Sequence, residues 1–292
     1  MIGRGRELLS YLCRRRVSSL APTDIKGMLN LIAFRTKDCM MTSPIALQLY
    51  TVRDALANDY EGTIRKVAAM GYAGVETAGN YNGAPEKALA LFRELGLQVM
   101  GGHFSLPLGD DKNKILDTAA ALETNTLICP WLSPDNFTTL DSIKKVCDML
   151  NEANANAQAR GMRLGYHNHH FEFEKLPDGS LPHEHMRRLC DNSIFFELDT
   201  YWIKTAGVDP ASVVSELAGR APLLHIKDGP AVVGQPMVAA GEGVIDIPAV
   251  INAGVGNTEW LIVELDQCAT DMLTAVETSI NYLKSKGLGR GK

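Results

Sequence analysis

From Pro44 onward the chain repeats one unit: a short apolar run, a loop carrying polar residues, an amphipathic stretch, then a glycine. The apolar runs predict strands over Ile45–Tyr50, Gly74–Thr77, Gln98–His103, Thr126–Trp131, Arg163–Asn168, Ser193–Asp199, Pro222–Lys227 and Trp260–Asp266. Helical periodicity between them predicts helices over Tyr60–Met70, Pro85–Leu95, Asn113–Leu122, Ser142–Arg160, His183–Cys190, Pro210–Ala218, Ile247–Ala253 and Asp271–Lys284. Gly71, Gly96, Gly161 and Gly254 stand just past the last periodic residues and mark helix ends. Strand and helix alternating eight times over roughly 250 residues fit a single closed parallel (β/α)8 TIM barrel, an α/β fold, better than an open doubly wound sheet. No GxGxxG follows the first strand and no P-loop is present, which removes the usual nucleotide-binding signatures.

The expected barrel spans residues 44–288, and residues 1–43 are expected to be an N-terminal extension outside its core. Arg14, Arg15 and Arg16 sit in a segment without strand-loop-helix rhythm, and a second start-like sequence, Met40-Met41-Thr42-Ser43-Pro44, precedes the first clear strand. The apolar run of a secretory signal is missing there.

The polar residues near the strand ends change the picture from fold to chemistry. Gln48, Glu76, His103, His167, Glu197, Asp199, His225, Lys227, Glu264 and Asp266 all fall within the last residues of their predicted strands. Strands of a parallel barrel are covered on both faces, so an ionisable group there is costly unless paired or bound to a metal. Period two puts Glu197 with Asp199, His225 with Lys227, and Glu264 with Asp266 on one face each, opposite their apolar neighbours. His167 and His169 likewise share a face, in a run that places three of the seven histidines within four positions. Imidazoles and carboxylates from neighbouring strands suit a divalent ion such as Mn, Co, Zn or Mg. A purely structural network of ion pairs is the alternative.

Charge and cysteine usage narrow the partner. Residues 1–40 hold eight Lys or Arg against three acids, so the remainder has 21 bases and 31 acids and a balance of -10. A domain this acidic matches a nucleic-acid backbone poorly, and a small molecule is the expected partner. The six cysteines form no CxxC pair, which points to reduced thiols and a cytoplasmic protein. No apolar segment approaches the roughly 18 residues that a membrane span needs.

Seven short stretches resemble the xylose isomerase-like barrel superfamily, in particular proteins labelled sugar phosphate isomerase/epimerase. They are Gln48-Leu49-Tyr50-Thr51-Val52-Arg53, Gly71-Tyr72-Ala73-Gly74-Val75-Glu76, Tyr166-His167-Asn168-His169, Glu197-Leu198-Asp199-Thr200-Tyr201-Trp202, Leu223-Leu224-His225-Ile226-Lys227-Asp228, Gly241-Glu242-Gly243-Val244-Ile245-Asp246 and Val263-Glu264-Leu265-Asp266. The resemblance covers Ile45 to Leu283 and implies one divalent metal ion held from strands five to eight, with Asp199, His225 and Glu264 at three of the family's positions. On the fifth strand ketose epimerases carry a glutamate that both binds the metal and moves a proton, and the matching residue here is His167. A two-carboxylate proton shuttle is therefore not carried over.

What the resemblance implies is a metal-dependent isomerase or epimerase acting on a sugar or cyclic polyol through an enediolate-type proton transfer. Glu264 is the expected ligand and proton carrier, with His169 and Lys227 as further acid/base or oxyanion-stabilising candidates. Glu76, His103, Glu172 and Trp202 are expected at the carbohydrate, with core packing as the alternative for Trp202. Competing readings are a metal-dependent lyase or dehydratase on a keto-sugar or glycoside, a non-catalytic sugar-binding protein, and an endonuclease for abasic DNA, which the acidic balance opposes. Exposed barrel helices would allow a homodimer, and nothing in the sequence fixes the oligomer.

Overall fold

The structure, a computed structural model, describes residues 42–292. The expectation of a separate N-terminal extension therefore lies, up to residue 41, outside the described residues. Eight strands follow in order: β1 Ile45–Gln48, β2 Gly74–Thr77, β3 Gln98–His103, β4 Thr126–Cys129, β5 Arg163–His167, β6 Phe195–Asp199, β7 Leu223–Ile226 and β8 Trp260–Val263. Each pairs in parallel with the next, and β8 returns to β1, so the sheet closes into the barrel that the alternating pattern predicts.

Ten helices connect them: α1 Arg53–Asn58, α2 Tyr60–Met70, α3 Pro85–Glu94, α4 Lys112–Ala121, α5 Leu140–Gln158, α6 Pro182–Leu189, α7 Thr200–Thr205, α8 Pro210–Leu217, α9 Ile247–Ala253 and α10 Met272–Ser285. Two were not expected, α1 and α7. Both are six residues long, too short for a 3.6-residue period to declare itself. Caps fix several starts. Asp59 accepts the Gly62 N–H ahead of α2, and Thr139 with Ser142 forms a capping box ahead of α5. Gly71, Gly96 and Gly161 take the left-handed conformation expected past a helix end. Gly254 does not: its φ is -92°, and a Cβ there would collide with Thr258 Oγ1.

Strands β1, β4 and β8 stop earlier than their apolar runs. After Gln48 the chain turns into a 3-10 helix over Leu49–Val52, so Tyr50 belongs to the rim rather than to β1.

The two faces of the sheet bury different things. Outward residues such as Leu47, Val75, Leu164, Phe196, Leu224 and Val263 join the main core beneath the helices. Inward residues near the strand starts, Ala46, Met100, Ile128, Phe195, Leu223 and Ile262, form a second apolar cluster that fills the barrel. Gly165 faces Phe195 in the β5–β6 register, and a Cβ at Gly165 would run into the Phe195 ring. The ring occupies the space that the missing side chain leaves. Two residues beyond Ala46, Phe195, Leu223 and Ile262, the same inward direction carries Gln48, Glu197, His225 and Glu264.

Candidate metal centre

The polar layer sits on the apolar plug at the carboxyl end of the strands, where barrel enzymes hold their chemistry. Gln48 at the end of β1 donates from Nε2 to Glu76 Oε2 at 2.7 Å. Glu76 Oε2 lies 2.8 Å from His225 Nε2 and 3.6 Å from His103 Nε2. Across the barrel Glu197 Oε2 lies 3.0 Å from His103 Nε2, 3.0 Å from His167 Nδ1 and 3.2 Å from His225 Nε2. The opposite ring nitrogens face another way. His225 Nδ1 is 2.7 Å from Glu264 Oε2, and His167 Nε2 is 3.6 Å from Asp199 Oδ2. One ligand atom from each of His167, Asp199, His225 and Glu264 lies within 4.8 Å of the others.

Asp199 shows why that convergence suits a cation. Its Oδ1 accepts the Trp202 N–H at 2.9 Å and so caps α7. Its Oδ2 is fully buried without a hydrogen bond, although Lys227 Nζ stands 2.9 Å away in an ion pair. The ammonium meets its charge, and the oxygen, buried with no hydrogen bond, keeps a lone pair that a cation could take. Two imidazole nitrogens and two carboxylate oxygens are a donor set for one divalent ion, and these four residues could hold it.

The electrostatics follow from burial and close charges. Burial and the His225 charge push His167 down, leaving it neutral with a free lone pair. Burial would also lower His225, yet Glu197, Glu264 and Glu76 outweigh it and hold the ring well above the usual histidine range. For Glu264 burial raises the carboxyl, and Lys227 with His225 reverses this and holds it well below the usual range. Lys227 is buried too, but Asp199, Asp266 and Glu264 keep its ammonium protonated, with Nζ 2.8 Å from Glu264 and 2.9 Å from Asp266. Glu76, with burial and Glu197 raising it, titrates at about 7.

The xylose isomerase-like TIM barrel family matches residues 64–286, most of the chain. The chain belongs to that family. Two structures of sugar phosphate isomerase/epimerases from Parabacteroides distasonis ATCC 8503 superpose on this xylose isomerase-like barrel with TM-scores of 0.70 and 0.69, at 23% and 26% identity. The first alignment covers 83% of this chain and 94% of the other, the second 82% and 97%. An L-ribulose 3-epimerase superposes with a TM-score of 0.61 at 16% identity, over 84% of this chain and 94% of its own. No curated protein matches the chain.

A cavity of about 450 Å³ opens above the layer and is lined by His103, His167, His169, Lys227, Glu264 and Asp266, with Tyr50, Phe104 and Trp131 around them. Of the residues expected at a carbohydrate, His103 borders this cavity. Glu76 is placed behind His225 and His103, fully buried. Glu172 is fully buried as well: it accepts the Tyr166 hydroxyl at 2.6 Å and the His169 N–H at 2.8 Å, and burial raises it to about 8. Trp202 stacks near His169 with centroids 6.2 Å apart, and Lys227 Nζ lies 5.6 Å from its ring. Burial, then the neighbouring His167 and Lys227, lowers His169 to about 2, so it is a neutral imidazole at the wall.

Three features received no role from the sequence. Glu197 shares its strand face with Asp199, but parity cannot tell a carboxylate in front of two histidines from one behind them. Tyr50 and Trp131, 44% and 53% exposed, flank the opening. Both lie two residues past the end of a strand, and the apolar run that predicts the strand also hides the rim residue beyond it.

Proposed function

We propose that this xylose isomerase-like barrel is a divalent-metal-dependent isomerase or epimerase of a sugar or cyclic polyol that works through an enediolate-type proton transfer. The observation that supports it most is the meeting of His167, Asp199, His225 and Glu264 at the floor of a cavity that two of them line. A divalent ion bound there would supply Lewis-acid polarisation of a carbonyl and its neighbouring hydroxyl.

The chain's own groups account for the rest. Glu264, whose carboxylate borders the cavity, takes the proton from the carbon beside the carbonyl and returns it to the other face or to the neighbouring carbon. The Lys227 ammonium, already 2.8 Å from Glu264 Oε2, stabilises negative charge on the adjacent oxygen. His169, neutral at the wall, is placed to bond a substrate hydroxyl or relay the proton. Apolar surface from Phe104 and Trp131 gives a sugar ring something to lie against. The four described cysteines are free thiols, which supports the cytoplasmic location proposed with this function. No helix among the described residues is long and apolar enough to cross a membrane.

Elemental analysis of the purified protein, joined to a screen of keto and non-keto sugars in deuterated water, tests the reading. The expected result is about one divalent ion per chain and metal-dependent exchange of a carbon-bound hydrogen without loss of a leaving group. A protein without divalent metal, whose ligand affinity is unchanged in Asp199→Ala, would instead be a sugar-binding protein.

His167 favours a second reading. With an imidazole on β5, the site lacks the second carboxylate of a two-glutamate shuttle, and elimination from a keto-sugar or glycoside needs only one base and a departing group. Release of that group, rather than exchange alone, identifies a lyase or dehydratase.

A further inference from the structure

Glu197 is a side chain of the layer that the proposed chemistry leaves without a task. It is fully buried on β6, and a single oxygen, Oε2, faces three imidazole rings that arrive from three other strands. A carboxylate oxygen can only accept. Each ring nitrogen turned toward it must therefore carry its hydrogen, and a neutral imidazole with one nitrogen protonated presents a lone pair from the other.

The consequence differs between the two rings that reach the candidate metal centre. His167 gives Nδ1 to Glu197, which leaves Nε2 pointing at Asp199. His225 turns Nε2 to Glu76 at 2.8 Å and to Glu197 at 3.2 Å, and its Nδ1 lies 2.7 Å from Glu264. By the same rule that Nδ1 also carries a hydrogen while no cation is bound, and it is the proton on the cavity side that a cation would displace. His103, held by the same oxygen, fixes the carboxylate from a third side and pins it between the rings. We infer that Glu197, joined by Glu76 behind His225, is a positioning residue that holds a hydrogen on Nδ1 of His167 and on Nε2 of His225, so that Nε2 of the first and Nδ1 of the second are the nitrogens offered to one cation and the loaded site contains opposite tautomers. The inference rests on the proposed metal centre and deepens it: the acceptor behind the rings decides which atoms the centre contains.

A rival arrangement uses the same atoms differently. His103, His167, Glu197 and His225 also bring ligand atoms within 4.8 Å of one another, and a second ion there would make Glu197 a ligand. It would require His167 and His225 to give up the nitrogens that now face Glu197, or to bridge two ions.

The experiment combines isotope-edited NMR with a metal titration on the full chain. With 15N-labelled histidine and Zn²⁺ as the diamagnetic probe, long-range proton–nitrogen spectra report which nitrogen of each ring carries hydrogen. The expected signature is Nδ1–H for His167 and Nε2–H for His225, with one Zn²⁺ per chain. In Glu197→Gln, which keeps the shape but offers a weaker acceptor and a competing donor, the Zn²⁺ dissociation constant measured against a chromogenic chelator should rise roughly 10–100-fold. The His167 tautomer should become mixed, and Glu197→Asp should recover part of the affinity. The tautomers of the unsubstituted protein need no variant, so a variant that fails to fold leaves a decisive measurement. Identical tautomers on the two rings, or a loaded Glu197→Gln protein with unchanged affinity and unchanged spectra, overturns this inference while the proposed function stands. Two Zn²⁺ per chain, falling to one in Glu197→Gln, overturns it in favour of the rival. A chain that takes up no divalent ion overturns the proposed function, and this inference with it.

Discussion

Two layers of the barrel interior, two residues apart on β1, β6 and β7, behave as different solvents. In the lower one Ala46, Met100, Ile128, Phe195, Leu223 and Ile262 exclude water by packing. In the upper one Gln48, Glu76, His103, Glu197 and His225 are nearly or fully buried, yet every one of them has a hydrogen bond or ion pair. A rise of about 6.6 Å along those strands separates the two. The difference teaches that this fold can bury a dense set of charges only above a dry base that holds the strands in register, so the strength of the base and the chemistry of the layer above it should be separable.

Asp199→Asn is the sharpest way to separate them. It keeps an oxygen for capping α7 and removes the anionic Oδ2 that faces the other candidate ligands. Divalent-ion affinity should fall by more than the roughly 10–100-fold typical of outer partners of a ligand, and turnover should fall to background. Thermal and urea unfolding should change little. A large loss of stability with retained metal would join the two layers and defeat the comparison.

Phe195→Ala is the converse. The ring fills the space beside Gly165, and its loss should lower the unfolding free energy by about 3–5 kcal/mol in a denaturant titration. At temperatures where the variant is folded, it should still bind one ion. Loss of the metal without loss of stability would place the polar layer's support somewhere other than the apolar plug.

Acid sensitivity sharpens the contrast by removing a background. His183 lies outside the barrel, buried between Phe173 and Phe196, and burial first, then Arg187 and Arg220, depress it to about 3. An unfolded histidine titrates near 6.5, so between about pH 6.5 and pH 3 the unfolded chain binds the proton and the folded one does not. Stability therefore falls as pH drops through that window, with a slope approaching about 1.4 kcal/mol per pH unit from this one group. His183→Phe should remove that slope from the pH dependence of unfolding, leaving what belongs to the upper layer. An unchanged slope would assign the whole acid response to the site.

The smallest effect is expected from deletion of residues 1–40. Folding, metal content and turnover should match the full chain, and loss of soluble protein would show that the segment supports the barrel.

How much of this was legible in the sequence depended on range. Strand and helix alternation is a local signal, and it located all eight strands. Helix α7 was missed because its cap, Asp199, is also the last residue of β6, and a six-residue helix leaves no periodic trace. The inward direction of His167, Asp199, His225 and Glu264 could be read from parity once a barrel was assumed. The link between Glu197 and His103 could not: 94 residues separate them, and only closure of the sheet brings them to 3.0 Å. For Glu76 and Glu172 the sequence suggested contact with a sugar, and the folded chain surrounds both with protein donors instead.

Asp199 divides its two oxygens between a backbone and a centre. One starts a short helix whose first turn carries Trp202, and the indole there lies against His169 and the Lys227 ammonium. Whatever draws on the other oxygen, now paired with the Lys227 ammonium, also pulls on the helix start, so the molecule has a built-in optical reporter: the emission of Trp202, one of three indoles in the chain, should register the filling of the centre before any substrate arrives.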